Sequence, residues 1–365
     1  MSMSDNDRPG APGIAFERSL RTTRYLDPSQ NWAPAQITSE IRRDPLLGTT
    51  GRLAHFVGFA PQPEDFAALA ATTREICPFC PDRLEVVTPQ LPPDVFGAGR
   101  LRRGQATLVP NLSPYDAFSA VTVICAEHFV PIGDWSPELL VDAISLARDY
   151  AAAIRAAGHA LPYTLLSWNY MPPAASTQIH PHLQVIVTDE PGTNVTARIG
   201  AQREYLKRWG RPFFDDLVET ERAVGERWVH DSEHVTVLTD FVSLSALSDV
   251  RIVFSDHQVL DTLDDAALGD FCAVMSRLLR ALGETGVSSF NMSFFPATAD
   301  AADGGRLHAV LTPRLSFSPA LHATDIGALN LQLGEPYMAR SPEELATSLR
   351  PAFRPPSAGA ASGGS

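Results

Sequence analysis

The run Ile179-His180-Pro181-His182-Leu183-Gln184 stands between Thr164-Leu165-Leu166-Ser167-Trp168-Asn169 and Val185-Ile186-Val187. The flanking segments read as two strands joined by a polar turn. Alternation along the second strand puts His180, His182 and Gln184 on one face. Two imidazoles beside a carboxamide can bind a metal, attack a phosphorus, or do both. An imidazole with a pKa near ~6.5 is largely neutral and nucleophilic at pH 7. The plainer alternative is a strand with surface histidines. Against it, the chain has only ten His in 365 residues, and other ligand-type residues accompany this pair.

Outward from this run, the chain says the same thing twice. The first statement opens with the apolar run Phe118-Ser-Ala-Val-Thr-Val-Ile-Cys125, then Ala126-Glu127-His128. A helix is predicted next: Ser136 can cap it, Pro137 suits its first turn and Gly158 can end it. Leu140, Ile144, Ala147, Ala151 and Ile154 make one buried stripe at helical spacing. Two strands follow, carrying Asn169 and the His180 cluster. The second statement opens with Val250-Arg-Ile-Val-Phe254 and Ser255-Asp256-His257. Its helix carries Leu268, Phe271, Met275, Leu278 and Leu282, and the strands Ser288–Phe294 and Arg306–Leu311 close it. In this matching His128 pairs with His257, Asn169 with Asn291, and Ile179-His180 with Leu307-His308, while Val310 takes the place of His182. An ancient duplication explains the asymmetry if only the first copy kept the candidate nucleophile. Chance likeness of two strand–helix–strand units is the alternative.

Cys77-Pro78-Phe79-Cys80 is a tight knuckle that brings two sulfurs onto one ion, and a thiolate pair suits Zn²⁺. Two ligands remain to be found, and His128 and His180 are the candidates. A redox pair, or a knuckle with other partners, would use the same spacing. Cys125 and Cys272 lie in apolar stretches and read as small core residues.

Size and charge bound the rest. A chain of 365 residues holds one large or two medium domains, and at 44% hydrophobic and 19% charged it is globular. A net charge of −13 argues against a nucleic-acid surface, which needs clustered Lys and Arg. No apolar run is long enough to span a bilayer. The N-terminus lacks a signal-peptide core, so a cytoplasmic location is expected. Residues 1–14 and 354–365 are too polar or too rich in Gly, Pro and Ser to pack, and are expected to be disordered. The basic clusters Arg42-Arg43 and Arg100…Arg102-Arg103 read as solvated surface or as phosphate contacts.

Together these residues resemble the galactose-1-phosphate uridylyltransferase family of the histidine-triad superfamily. The likeness runs from about Glu40 to Leu349 and is strongest at Cys77-Pro-Phe-Cys80 and at His180-Pro-His-Leu-Gln184, which the family writes His-Pro-His-x-Gln. Glu40-Ile-Arg-Arg-Asp-Pro-Leu-Leu-Gly48 is also similar to the family's N-terminal strand and turn. The resemblance implies an α+β, histidine-triad-like fold: two repeats (15–200 and 201–353), each an antiparallel half-barrel with flanking helices. It implies one structural zinc on Cys77, Cys80, His128 and His180, with His182 as nucleophile. Gln184, Thr177 and Asn169 would contact the transferred phosphate, and Asn111 the ribose and base. The implied partners are a nucleoside-diphosphate sugar and a sugar 1-phosphate or phosphate, with the protein a homodimer. A phosphorylase, a histidine-triad hydrolase and a non-catalytic zinc-stabilised nucleotide-binding module are the rival readings.

Three departures matter. The family's Gly-rich segment before the motif is here Tyr170-Met-Pro-Pro-Ala-Ala-Ser176. Its second metal site loses histidines at Phe295 and Val310, leaving His308, so a second metal is not expected. Its hexose-contacting stretch is altered at Asp325-Ile-Gly-Ala-Leu-Asn330, so galactose specificity is expected to be lost.

Overall fold

The computed structural model describes residues 11, 13–54, 64–318 and 323–354. The ends expected to be loose, 1–14 and 354–365, fall almost wholly outside these. The N-terminal segment forms a long hairpin, β1 (Arg18–Asp27) and β2 (Ala33–Arg43), in continuous antiparallel register. β3 (Thr50–Leu53) pairs with β2, and the short strand Tyr337–Met338 adds parallel to β3 to complete a four-stranded sheet. Three short helices follow, α1 (Phe66–Thr73), α2 (Pro81–Val87) and α3 (Pro93–Phe96), with both knuckle cysteines between the first two.

The body is one ten-stranded sheet. Its first half is β4 (Leu101–Arg103), β5 (Ala106–Pro110), β6 (Phe118–Val123), helix α4 (Pro137–Ala156), β7 (Tyr163–Tyr170) and β8 (His182–Thr188). Helices α5 (Thr193–Trp209) and α6 (Phe213–Val224) lead into the second half. That half is β9 (Trp228–Asp231), β10 (Val235–Thr239), β11 (Val250–Phe254), helix α7 (Asp265–Glu284), β12 (Ser289–Phe295) and β13 (His308–Arg314). The strand order β4-β5-β6-β8-β7-β12-β13-β11-β10-β9 reads the same from either edge. At the centre β7 and β12 run antiparallel with Ser167 opposite Ser293, each the fifth residue of its strand. A local two-fold axis through this serine pair exchanges the halves.

The signals that predict α4 are those that form it. The Ser136 hydroxyl accepts from the Leu139 N–H, Pro137 opens the first turn, and Gly158 takes φ +93 just past the end. The stripes from Leu140 to Ile154 and from Leu268 to Leu282 are buried, and α4 and α7 pack on each other over one face of the sheet. Beneath the central strand pair, Trp168 meets Phe290 edge-on at 4.9 Å and Tyr170 stacks on it at 5.0 Å. The alternate residues of the same strands point to the opposite face, and that face is polar: His182, Gln184, Ser167, Asn169, Asn291 and Arg251 all lie on it.

The register corrects the matching of the two copies by two residues. Val123 faces His182, and Val253 faces His308. The Ile124 N–H donates to the Pro181 carbonyl as that of Phe254 does to Leu307. His182 Nδ1 donates to the His180 carbonyl at 2.9 Å, and His308 Nδ1 to the Arg306 carbonyl at 3.0 Å. His308 is therefore the counterpart of His182 rather than of His180, Val310 of Gln184, and Phe295 of Asn169. A slip of two residues keeps every side chain on its own face, so alternation cannot reveal it. A second correction is smaller: His180 stands just ahead of β8, because Pro181 has no N–H for the ladder and the strand starts at His182.

Candidate metal centre and active site

Cys77 closes the short turn after α1, and Cys80 is the N-cap of α2, with Pro81 in the first helical turn. His128 follows β6 and His180 precedes β8, so four separate approaches converge. One donor atom from each lies within 4.8 Å of all the others, and all four residues are buried. Cys80 Sγ stands 3.4 Å from His128 Nδ1 and 3.6 Å from His180 Nδ1. A tetrahedral ion with bonds of about 2.0–2.3 Å would space its ligands by roughly 3.3–3.8 Å.

The ring nitrogens facing away from the cluster settle the tautomers. His180 Nε2 lies 2.9 Å from the Cys125 carbonyl, which can only accept, so Nε2 carries the proton and Nδ1 the lone pair. His128 Nε2 meets Thr73 Oγ1 at 3.0 Å, and that hydroxyl in turn reaches the Ala70 carbonyl at 3.2 Å. Both rings thus turn lone pairs inward with their outer nitrogens anchored, as second-shell groups anchor metal-bound histidines. Burial holds His180 down to about 4 and lowers His128 below its ordinary 6.5, keeping both neutral. Burial, then the neighbouring Cys77, pushes the Cys80 thiol up to about 11, so a thiolate pair here needs a cation beside it. Cys77 and Cys80 are free thiols, and the donor set fits one tetrahedral metal ion.

His182 is buried beside this cluster with its ring 5.3 Å from that of Phe79. Its Nδ1–H is committed to the His180 carbonyl, so Nε2 holds the lone pair. Burial lowers its pKa below 6.5 and keeps that lone pair free of a proton. Gln184, half-buried, is opposite Ser167 of β7. Asn169, two residues further along β7, extends the same polar face.

The residues that fix Asn169 come from the second half, and sequence reasoning did not assign them. Asn291 Nδ2 donates to Asn169 Oδ1 at 2.7 Å and to the Ala174 carbonyl at 2.9 Å. Arg314 Nη1 donates to Asn291 Oδ1 at 2.9 Å, and Arg314 Nε to Asp325 Oδ1 at 2.7 Å. Each link has one chemically allowed direction. The chain of bonds takes up Asn169 Oδ1 and leaves the Asn169 NH₂ to donate elsewhere.

Asn111 continues β5, its N–H donating to the Ser119 carbonyl, and its Oδ1 accepts from the Ser113 N–H. It lies two strands, roughly 10 Å, from the line of β8 and on the same face as Gln184. Thr177 is exposed in the loop before His180 and makes no hydrogen bond to the cluster among the described residues. The segment in place of the Gly-rich stretch keeps glycine-like backbone: Met171 has φ 69 and ψ 161, and Ala175 has φ 63. The basic clusters are mostly structural. Arg42 is buried and bonded to Glu343 at 2.9 Å, and Arg100 donates to the Leu84, Glu85 and Thr88 carbonyls at the end of α2. Arg103 reaches Asp142 at 3.7 Å. No helix among the described residues is long and apolar enough to cross a membrane.

No protein-family model matches the chain. An uncharacterized protein of Archaeoglobus fulgidus is 28% identical over 259 residues, 71% of this chain and 76% of that one. The structure of an ADP-glucose phosphorylase from Arabidopsis thaliana, solved with bound ADP-glucose, is similar with a TM-score of 0.65 and 17% identity, over 86% of this chain and 98% of that one. A uridylyltransferase structure is similar with a TM-score of 0.61 and 20% identity, over 86% of this chain and 98% of that one. The chain therefore has the α+β fold of the uridylyltransferase and ADP-glucose phosphorylase structures, the fold that its motifs imply.

Proposed function

We propose that the protein is a nucleotidyltransferase. It would move a nucleoside monophosphate between a nucleoside-diphosphate sugar and a sugar 1-phosphate through a covalent bond to His182. The observation that carries this is the tautomer of His182: its Nδ1–H is held by the His180 carbonyl, leaving Nε2 as a fixed, unprotonated nucleophile. Nε2 attacks the α-phosphorus, the P–O bond to the sugar 1-phosphate breaks, and the leaving phosphate takes the electron pair. Positive charge develops on the imidazole, and the His180 carbonyl meets it at Nδ1–H. An incoming phosphate oxygen then breaks the P–N bond and restores the neutral ring. The Gln184 amide, the Asn169 NH₂ and the Thr177 hydroxyl would donate to oxygens whose charge grows in each transition state. Asn111 would contact the nucleoside.

Cys77, Cys80, His128 and His180 would hold one structural Zn²⁺. Bound there, it would keep both sulfurs as thiolates and fix the His180 carbonyl on which the His182 tautomer depends. A second metal is not proposed, because the Arg198 and Arg251 guanidinium groups lie close enough to His308 to lower its pKa. The second half is proposed to be catalytically silent, with Val310 where the first half has Gln184. The long β1–β2 hairpin exposes Leu20, Tyr25, Leu26 and Trp32, which supports the homodimer expectation, and a cytoplasmic location is kept as part of this reading.

One observation favours a second acceptor. Asp325, at the start of the altered hexose segment, is buried and bonded to Arg314, so it is not presented to a sugar. Together with the likeness to an ADP-glucose phosphorylase, this supports inorganic phosphate as acceptor and argues against galactose 1-phosphate. Initial rates with both substrates varied test the reading. Parallel double-reciprocal lines, with labelled sugar 1-phosphate exchanging into nucleotide sugar in the absence of a second acceptor, are expected. Intersecting lines without exchange would exclude it.

A further inference from the structure

His308 repeats the position of His182, yet the groups around it are of another kind. We infer that this place is a binding pocket for inorganic phosphate or a phosphate monoester, held by Arg198 and Arg251 beside His308. The inference does not depend on the covalent role of His182.

The His308 ring is buried between Phe295, parallel at 5.2 Å, and Phe214, tilted at 4.5 Å. The Arg198 guanidinium lies 5.1 Å over Phe295, and that of Arg251 lies 5.7 Å from Phe214. Both arginines and Phe214 line one small pocket that opens to solvent. Two buried donors of the lining, Arg198 Nε and Arg251 Nη1, have no hydrogen-bond partner, nor do Glu221 Oε2 in the same lining and His308 Nε2 behind Phe214. Native proteins rarely leave such atoms unmatched, and a group of them points to a water, an ion or a ligand.

Charge separates these possibilities. Arg251 gives Nε and Nη2 to Asp240, each at 2.6 Å, and keeps Nη1 spare. Arg198 has no carboxylate within ion-pairing distance among the described residues. Burial, then Arg251, draws its pKa down to about 10, the mark of a cation short of compensation. A water could accept one N–H but would not offset that charge. Of the three acids lining the pocket each has at least one oxygen engaged, and only Glu221 Oε2 is buried without a partner. Asp240 holds Arg251, Asp44 accepts from the Leu46 and Leu47 N–H groups, and Glu221 bonds Arg227 while burial raises it to about 7. Guanidinium forks match phosphoryl oxygens. His308 Nδ1–H is committed to the Arg306 carbonyl, so Nε2 can only accept.

Equilibrium dialysis of inorganic phosphate against the full chain tests this, with Gln184→Ala and Arg198→Gln alongside. The expected result is a phosphate site that Gln184→Ala leaves in place and Arg198→Gln weakens at least tenfold. Arg198→Gln should not lower the melting temperature in phosphate-free buffer. If Arg198→Gln does not fold, Arg198→Lys, which keeps the charge but not the fork, should weaken phosphate in the same sense. Phosphate binding unchanged in the folded Arg198 variant would overturn the inference. So would binding lost only in Gln184→Ala, or Mn²⁺ binding that depends on His308.

Discussion

Asn169 and Asn291 face each other across the central strand pair, and Asn291 Nδ2 donates to Asn169 Oδ1 at 2.7 Å. The bond crosses from one half of the duplicated sheet to the other, so the second half orients a side chain of the first. The Arg314–Asp325 pair behind Asn291 fixes which end of each amide points where. Asn291→Leu removes the donor and frees Asn169 to rotate. A single-turnover measurement of nucleotidyl transfer to His182 should then slow by roughly 10–100-fold, the usual cost of misplacing a group at a reacting centre. Metal content should not change. An unaltered rate in the folded variant would show that Asn169 needs no such support.

The metal set makes a graded prediction. Cys80→Ala should bring zinc from about one per chain to near zero and lower the denaturation midpoint. Thr73→Val leaves every ligand in place but removes the partner of His128 Nε2. Competition with a chromophoric chelator should show metal affinity reduced by about 10–100-fold. Full affinity in Thr73→Val would mean that the His128 ring is set by packing alone.

Ala175 occupies left-handed backbone at φ 63 and its side chain is exposed. An L-residue there costs roughly 1–2 kcal/mol, part of which glycine returns through its freer unfolded chain. Ala175→Gly should raise stability by about 0.5–1 kcal/mol in urea denaturation. A loss would show that the loop is held by contacts of the Ala175 methyl.

Burial, then Arg251 and Arg198, holds His308 well below its ordinary 6.5 in the folded protein. Above pH 6.5 the ring is neutral in both states and contributes no pH dependence. Below it the unfolded chain takes up a proton that the folded chain refuses, so stability falls as pH drops. One such group is worth about 1.4 kcal/mol per pH unit. Between pH 6.5 and 5, in phosphate-free buffer, stability should fall about 2 kcal/mol less in His308→Gln than in the wild type. Equal slopes would show that His308 is protonated in the fold.

Much of this architecture was legible because local signals agree. Ser136, Pro137 and Gly158 bracket α4, the paired helical stripes mark the duplication, and the cysteine knuckle with His180 points to the buried Cys₂His₂ cluster that could hold a metal. The alignment of the copies was not legible, since a shift of two residues leaves the alternation of β13 intact and only hydrogen-bond register separates His308 from Val310 as the counterpart of His182. Asn291 was visible but misread, because its role comes from strand adjacency across the two-fold axis. The Arg314–Asp325 pair and the Arg198–Arg251 pocket join residues distant in sequence, and charge pattern alone does not say which arginines are buried.

The central claim is that His182 Nε2 becomes bonded to the α-phosphorus of a nucleotide. Intact-mass analysis tests it most directly, after the full chain is incubated near neutral pH with a panel of nucleoside-diphosphate sugars and no acceptor. The expected result is one added nucleoside monophosphate per chain, its mass naming the base, lost on acidification and absent from a folded, zinc-loaded His182→Gly protein. No adduct with any nucleotide sugar, or an adduct that persists in His182→Gly, would contradict it.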